Sequence, residues 1–289
     1  MPDYGHELSF GTFITPRNEQ RHEVVALAQL TEQVGLDLVT FQDHPYQPAF
    51  LDTWTLLTWV AAQTERVRLA PDVLNLPLRP PSVVARAAAS LDLLSGGRFE
   101  LALGAGAFWE GIEAMGGPNR SRGGAVAALS EAIDVIRALW DVSAPGSVRI
   151  EREHYRVKGA KRGPAPAHDV SIWLGAYKPR MLRLVGEKAD GWLPSYSYLK
   201  EGDLARGNRT IDEAAEAAGR DPRAIRRLLN VKPAEGPAEA WIEQLLPLAI
   251  DDGVGTFILW ADDADTIERW GTEIAPALRQ AVGHERALV

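Results

Sequence analysis

Eight times along this chain a short apolar run gives way to a longer segment with apolar residues at helical spacing. The strand-like runs are 8–14, 36–41, 67–73, 99–103, 170–174, 191–194, 225–231 and 255–260. The helix-like segments that follow them are 19–34, 53–63, 82–94, 124–140, 179–188, 211–218, 238–250 and 264–281. In the fourth, Val126, Leu129, Ile133, Ile136 and Trp140 share one face; in the eighth, Ile267, Trp270, Ile274 and Leu278 do so. Gly35, Gly96-Gly97 and Gly253 stop helices where a left-handed residue is wanted. Eight β-then-α units predict an α/β protein of the (β/α)8 TIM-barrel class, and 289 residues suit it. The rival, a doubly wound open sheet, rarely needs eight such units. Residues 143–168 interrupt the alternation with Pro, Gly and charge, and 148–150 with 154–157 suit a small hairpin. The alternation then resumes, so we expect one domain over 1–289 with an insertion between the fourth helix and the fifth strand.

Composition excludes several function classes. The chain has no cysteine, which removes disulfides, thiolate metal sites and cysteine nucleophiles and suits a cytoplasmic protein. The formal charge is −8 with no long Lys/Arg run, against a nucleic-acid partner. Arg226-Arg227 and the cluster at 158–162 read as solvated surface. No apolar run approaches the roughly 20 residues of a membrane span, and MPDYGHELSF does not read as a secretory signal. The histidines at 6, 22, 44, 154, 168 and 284 form no close-spaced ligand pair, so no metal centre is expected.

A barrel carries its active site at the C-terminal ends of its strands. After the second strand, VTFQDHPYQP at 39–48 breaks an apolar run with Asp43 and His44 before Pro45 turns the chain. His44 suits a general acid or base near neutral pH, against the blander reading of a loop-capping histidine. Asp43 suits orienting the imidazole, contacting a ligand or capping a helix. The third strand ends at Asp72, Val73, Leu74 and Asn75, and Asp72 marks a bulge or an acid already facing water. The fourth ends at Gly104, Ala105, Gly106, Ala107, Phe108, Trp109 and Glu110. Trp109 stands where a dinucleotide fingerprint has its third glycine, so these glycines read as close approach to a flat ligand or a tight turn. The fifth ends at Gly175, Ala176, Tyr177 and Lys178, then Pro179 and Arg180. Free N–H groups at that helix start, with two cations, suit a phosphate.

Three stretches together, GLDLVTFQDH at 35–44, LAPDVLNLPLRPPSVVARAAASLDLLSGGRFELALGAG at 69–106 and WLGAYKPRMLRLVGEKADGWLP at 173–194, resemble the luciferase-like flavin- or deazaflavin-dependent oxidoreductases, which fold as (β/α)8 barrels. The Asp-His pair resembles the branch that uses coenzyme F420, an 8-hydroxy-5-deazaflavin. The resemblance implies that His44 lies beside the reactive ring face and that Asp43 lies near cofactor and substrate. It also implies that Asp72-Val73 is a bulge with a non-proline cis peptide, that Asn75 contacts the deazaflavin, and that residues 175–180 bind its phosphate. The sugar-phosphate dehydrogenases of that branch carry a glutamate where this chain has Ala107; Glu110 is the nearest substitute. A homodimer is likewise implied. Three functions stay open: hydride transfer between F420 and a small organic substrate with His44 as acid or base, an FMN-dependent monooxygenase, and a ligand-binding barrel without turnover.

Overall fold

The computed structural model describes residues 2–288. Its first half contains β1 (Ser9–Ile14), α1 (Arg21–Gln33), β2 (Leu38–Phe41), α2 (Thr53–Ala61), β3 (Arg68–Pro71), β4 (Leu74–Asn75) and α3 (Pro81–Ser95). Then come β5 (Leu101–Gly104), α4 (Trp109–Ala114), α5 (Arg122–Trp140), and the strands β6 (Val148–Glu151) and β7 (Arg156–Ala160). The chain continues through β8 (Ile172–Leu174), α6 (Pro179–Lys188), β9 (Gly191–Trp192), α7 (Asp203–Ala217) and β10 (Arg226–Val231). It finishes with α8 (Ala238–Ile250), β11 (Thr256–Trp260), α9 (Ala264–Arg269) and α10 (Ala275–Ala287), the last two joined by a π-helical turn.

The sheet order is β3-β2-β1-β11-β10-β9-β8-β5-β4, and every pairing in it is parallel. β3 and β4 are two halves of one strand, broken at Asp72-Val73, whose peptide is cis. Leu69 bridges to Phe99 just before β5, which brings the two ends of the sheet together. The result is the expected (β/α)8 barrel. β6 and β7 form a separate antiparallel pair.

The strands read as continuous apolar runs because both faces are covered; all four residues of β2 are buried. Leu38, Ala70, Ala102, Trp173, Leu193, Leu228 and Ile258 fill the inside of the barrel. A larger core lies between the strands and the surrounding helices, with Phe10 and Trp270 meeting edge to face at 5.3 Å. Helix starts are set by side-chain caps: Asp52 accepts from the Thr55 amide, Ser121 from Gly124 and Asp263 from Thr266.

Two expectations change. Arg227 is not solvated surface: its side chain is 1% exposed and ion-paired to Asp212. Its guanidinium lies 4.1 Å from the Tyr4 ring and hydrogen-bonds Asn208, so the charge is buried but paired between β10 and α7. α7 starts at Asp203, eight residues before the apolar periodicity begins at 211. Gly207 hides it, because there the helix backbone packs directly on Trp192; a Cβ would sit 2.3 Å from that ring.

Candidate active site

β2 delivers Asp43 and His44 to the barrel rim, but the two side chains serve different neighbours. Asp43 accepts from the Asn75 amide at 2.7 Å and from both Arg79 guanidinium nitrogens at 2.6 and 3.1 Å. Burial pushes its carboxyl up, against the pull of Arg79 and that amide. Asp43 therefore ties β2 to the turn after β4 and does not hold the imidazole. The imidazole is held by Tyr46, whose hydroxyl lies 2.7 Å from His44 Nδ1. Burial pulls the His44 pKa below its ordinary value, partly offset by the Asp43 charge. His44 is thus neutral near pH 7, with Nε2 unpartnered among the described residues.

The break between β3 and β4 turns Asp72 into the barrel. Its carboxylate oxygens lie 3.0 Å from Asn230 Nδ2 and 3.4 Å from Thr40 Oγ1. Burial pushes its pKa up to about 7, against the hydrogen bond from Asn230. Val73 fills space that Gly104 and Gly175 leave: a Cβ on either would come within 2.8 or 3.4 Å of Val73 Cγ2. Gly106 adopts φ 94° and packs against Pro77 and Trp109. Protein atoms account for both glycines of the Gly-x-Gly, in keeping with a tight turn.

One cavity of about 340 Å³ gathers Asp43, His44, Asp72, Val73, Asn75, Gly104, Ala105, Gly106, Gly175, Tyr177 and Lys178. Asn75 is 7% exposed, and its side-chain Oδ1 is a buried acceptor with no partner among the described residues. Tyr177 accepts from the Ser195 amide at 2.8 Å. Lys178 is the N-cap residue of α6 and Pro179 opens that helix. Three sequence candidates lie off the cavity wall. Glu110 is exposed in the first turn of α4, a helix the apolar spacing did not reveal. Ala176 is buried, its carbonyl accepting from Trp192 Nε1. Arg180 is exposed and approaches Gly123. Of the acids after β11, Asp262 accepts from the Thr15 amide and hydroxyl, and Asp263 caps α9.

Sequence reasoning missed Tyr46, Arg79 and Asn230. Tyr46 was in plain view two residues after His44, and Asn230 is a polar residue in the apolar run of β10. Nothing local marks Arg79 as the partner of Asp43. A larger groove of about 710 Å³ lies by Arg137, Trp140, His168 and Asp190, but its charges pair with protein, Arg137 with Asp190 and His168 with Asp92. Among the described residues no group of three His, Asp or Glu side chains is placed to hold a metal ion, and no helix is long and apolar enough to cross a membrane.

A family model described as luciferase-like monooxygenase matches residues 8–283. The chain belongs to the luciferase-like monooxygenase family. This luciferase-like chain is 37% identical over 189 residues to a phthiodiolone/phenolphthiodiolone dimycocerosates ketoreductase of Mycobacterium sp. (strain JLS), covering 63% of this chain and 47% of that protein. It thus spans about half the length of the curated ketoreductase it matches. Among solved structures, an F420-dependent secondary alcohol dehydrogenase in complex with an F420-acetone adduct superposes with TM-score 0.80 at 18% identity, over 94% of this chain and 99% of that one. A riboflavin lyase with modified FMN and riboflavin gives 0.83 at 15% identity, over 95% and 92%. At such identities these two likenesses speak for the barrel fold.

Proposed function

We propose that this chain is an oxidoreductase that binds coenzyme F420 in the barrel mouth and interconverts a ketone and a secondary alcohol. The observation that carries the reading is one cavity holding both His44, with Nε2 unpartnered, and the orphaned buried acceptor Oδ1 of Asn75. A buried acceptor without a donor asks for a ligand N–H, and the pyrimidine edge of a flavin or deazaflavin offers one. The residues present fit such a ring. Asn75, Val73 and the backbone at 104–106 would hold it, and residues 175–178 at the start of α6 would take its phosphate. When bound, the deazaflavin supplies hydride chemistry.

His44 handles the proton. In the oxidising direction Nε2 accepts the alcohol O–H proton, and the imidazolium donates from Nδ1 to Tyr46. In the reducing direction the same proton returns to the carbonyl oxygen. The ketoreductase relatives and the alcohol dehydrogenase neighbour, whose names both concern ketones or secondary alcohols, support this substrate class. Neighbours that carry FMN support a second reading with that cofactor. The homodimer that the resemblance implies belongs to the same proposal; light scattering that gives the mass of a single chain removes it.

Titration of the purified chain with F420 and with FMN tests the reading. We expect micromolar or tighter binding of F420, and reduction of a ketone by its reduced form. FMN retained on purification, with oxygen consumed on reduction, selects the second reading. Failure of both cofactors to bind ends both.

A further inference from the structure

Among the described residues, Asp72 is an acid without a cationic partner. Its carboxyl reaches across the barrel interior from the end of β3 to Asn230 on β10, at 3.0 Å, with Thr40 of β2 at 3.4 Å. The polar side chains around it from β2, β10 and the stretch after β9 are Thr40, Asn230 and Ser195, none of them ionisable. The titratable groups sharing its cavity are Asp43, His44, Tyr46, Tyr177 and Lys178. Asp43 is taken up by Arg79, His44 by Tyr46, and Tyr177 by the Ser195 amide. Burial pushes the Tyr177 phenol up, against the Ser195 hydrogen bond, and an ionised Asp72 would push it the same way as burial.

Two acceptors compete for one hydrogen at Thr40. Thr40 has one hydroxyl hydrogen, and its Oγ1 lies 3.0 Å from the Thr12 carbonyl oxygen, closer than Asp72. Given to that carbonyl, the hydrogen leaves a Thr40 lone pair facing Asp72 Oδ2. Only a hydrogen on the acid makes that contact a bond. Burial acts in the same direction, raising the pKa of Asp72 to about 7.

We propose that Asp72 is carried as a neutral carboxylic acid on the wall of this cavity, and that a planar ring bearing delocalised negative charge docks there only while that hydrogen is in place. The inference rests on the cofactor reading above. An 8-hydroxyl conjugated with the ring carbonyls of a deazaflavin is acidic, so that ring carries negative charge around neutral pH. A carboxylate and an anionic ring sharing one desolvated cavity repel strongly, so one of them stays protonated. Where Asp72 is ionised beforehand, docking draws one proton from solvent onto it. The oxidised ring of FMN is uncharged and makes no such demand.

The experiment is calorimetric titration of the full chain with F420 in buffers of different ionisation enthalpy, at about pH 5.5 and about pH 8. The wild type is expected to take up close to one proton per F420 at the higher pH and none at the lower. Its affinity falls up to tenfold per pH unit above about 7. Asp72→Asn, which keeps the shape and both hydrogen bonds, is expected to show neither effect. Equal proton uptake by Asp72→Asn, a pH-independent wild-type affinity, or the same slope with FMN overturns the proposal. An arm without cofactor separates its failure from that of the cofactor reading. Infrared spectra of the ligand-free protein at about pH 6 are expected to show a protonated carboxyl band that Asp72→Asn lacks. Should neither cofactor bind, the cofactor reading fails and docking with it; the band alone then decides the state of Asp72, and its absence overturns the neutral acid.

Discussion

The hydroxyl of Tyr46 and Nδ1 of His44 lie 2.7 Å apart, and the Tyr46 ring is itself steadied by Phe108 at a centroid distance of 5.1 Å. A tyrosine two residues along the same loop, and not the adjacent aspartate, therefore orients the imidazole. The hydroxyl serves both charge states. It accepts from Nδ1–H of the neutral ring, whose Nε2 is then free to take a proton, and from Nδ1–H of the imidazolium.

Tyr46→Phe keeps the ring packing and removes this bond. A hydrogen bond to a charged group is worth about 1.5–3 kcal/mol and one to a neutral group about 0.5–1.5. The imidazolium therefore loses more than the neutral ring does, and the His44 pKa, already lowered by burial, falls further. An NMR titration of the His44 ring in the ligand-free protein measures this. An unchanged titration, with the fold intact, removes Tyr46 from the role of positioning residue.

Arg79→Ala leaves the Asp43 carboxylate, 1% exposed, without its ion-pair partner. Breaking a buried pair from one side costs about 3–5 kcal/mol, which in a chain of this size is roughly 6–15 °C of melting temperature. Differential scanning calorimetry checks it. The hydrogen bond from the Asn75 amide to Asp43 remains, so Arg79→Lys is expected to recover only part of the loss, because an ammonium does not reproduce the two-pronged contact.

The glycines separate into those that must be glycine and one that need not. Gly104→Ala drives a methyl group to 2.8 Å from Val73 Cγ2, and displacing Val73 costs about 1–3 kcal/mol and narrows the cavity. Gly106→Ala adds backbone strain at φ 94° to contacts of 2.8 Å with Pro77 and 2.9 Å with Trp109, so it is expected to be worse. Gly283, inside α10, has open space around its missing Cβ. Gly283→Ala is expected to stabilise the chain by about 0.5–1 kcal/mol. Urea midpoints for the three variants rank them, and the opposite order removes the packing argument.

The barrel was legible because each layer of evidence in the chain agreed. Buried parallel strands such as LVTF need apolar side chains on both faces, and the helices between them need one apolar stripe. The rim followed from the strand ends, since Asp43, His44, Asp72 and Asn75 all interrupt apolar runs. What could not be read was the pairing of distant side chains. Asp43 finds Arg79 across 36 residues and Asp72 finds Asn230 across 158. Adjacency in the chain suggested Asp43 for His44, but β2 sends the two side chains to different neighbours. Arg227 was misread for the same reason, because Asp212 and Tyr4, which shelter its charge, are brought to it only by the closed barrel.

Asp72 makes the folded chain sensitive to pH in a direction opposite to most acids. In the unfolded chain it ionises near 3.8, and in the native state at about 7. Between those values the native state holds a proton that the unfolded state has lost, so stability falls as pH rises through this window and the loss is complete above about 7. At about 1.36 kcal/mol per unit the difference is at most roughly 4 kcal/mol, and relaxation of the barrel wall reduces it. Asp72→Asn mimics the protonated acid and cannot ionise. It is expected to match the wild type near pH 4 and to exceed it by about 1–4 kcal/mol near pH 8 in urea unfolding. A difference between the two proteins that does not grow with pH would mean that Asp72 is already ionised in the fold, and that Thr40 gives its hydrogen to the carboxylate instead of to Thr12.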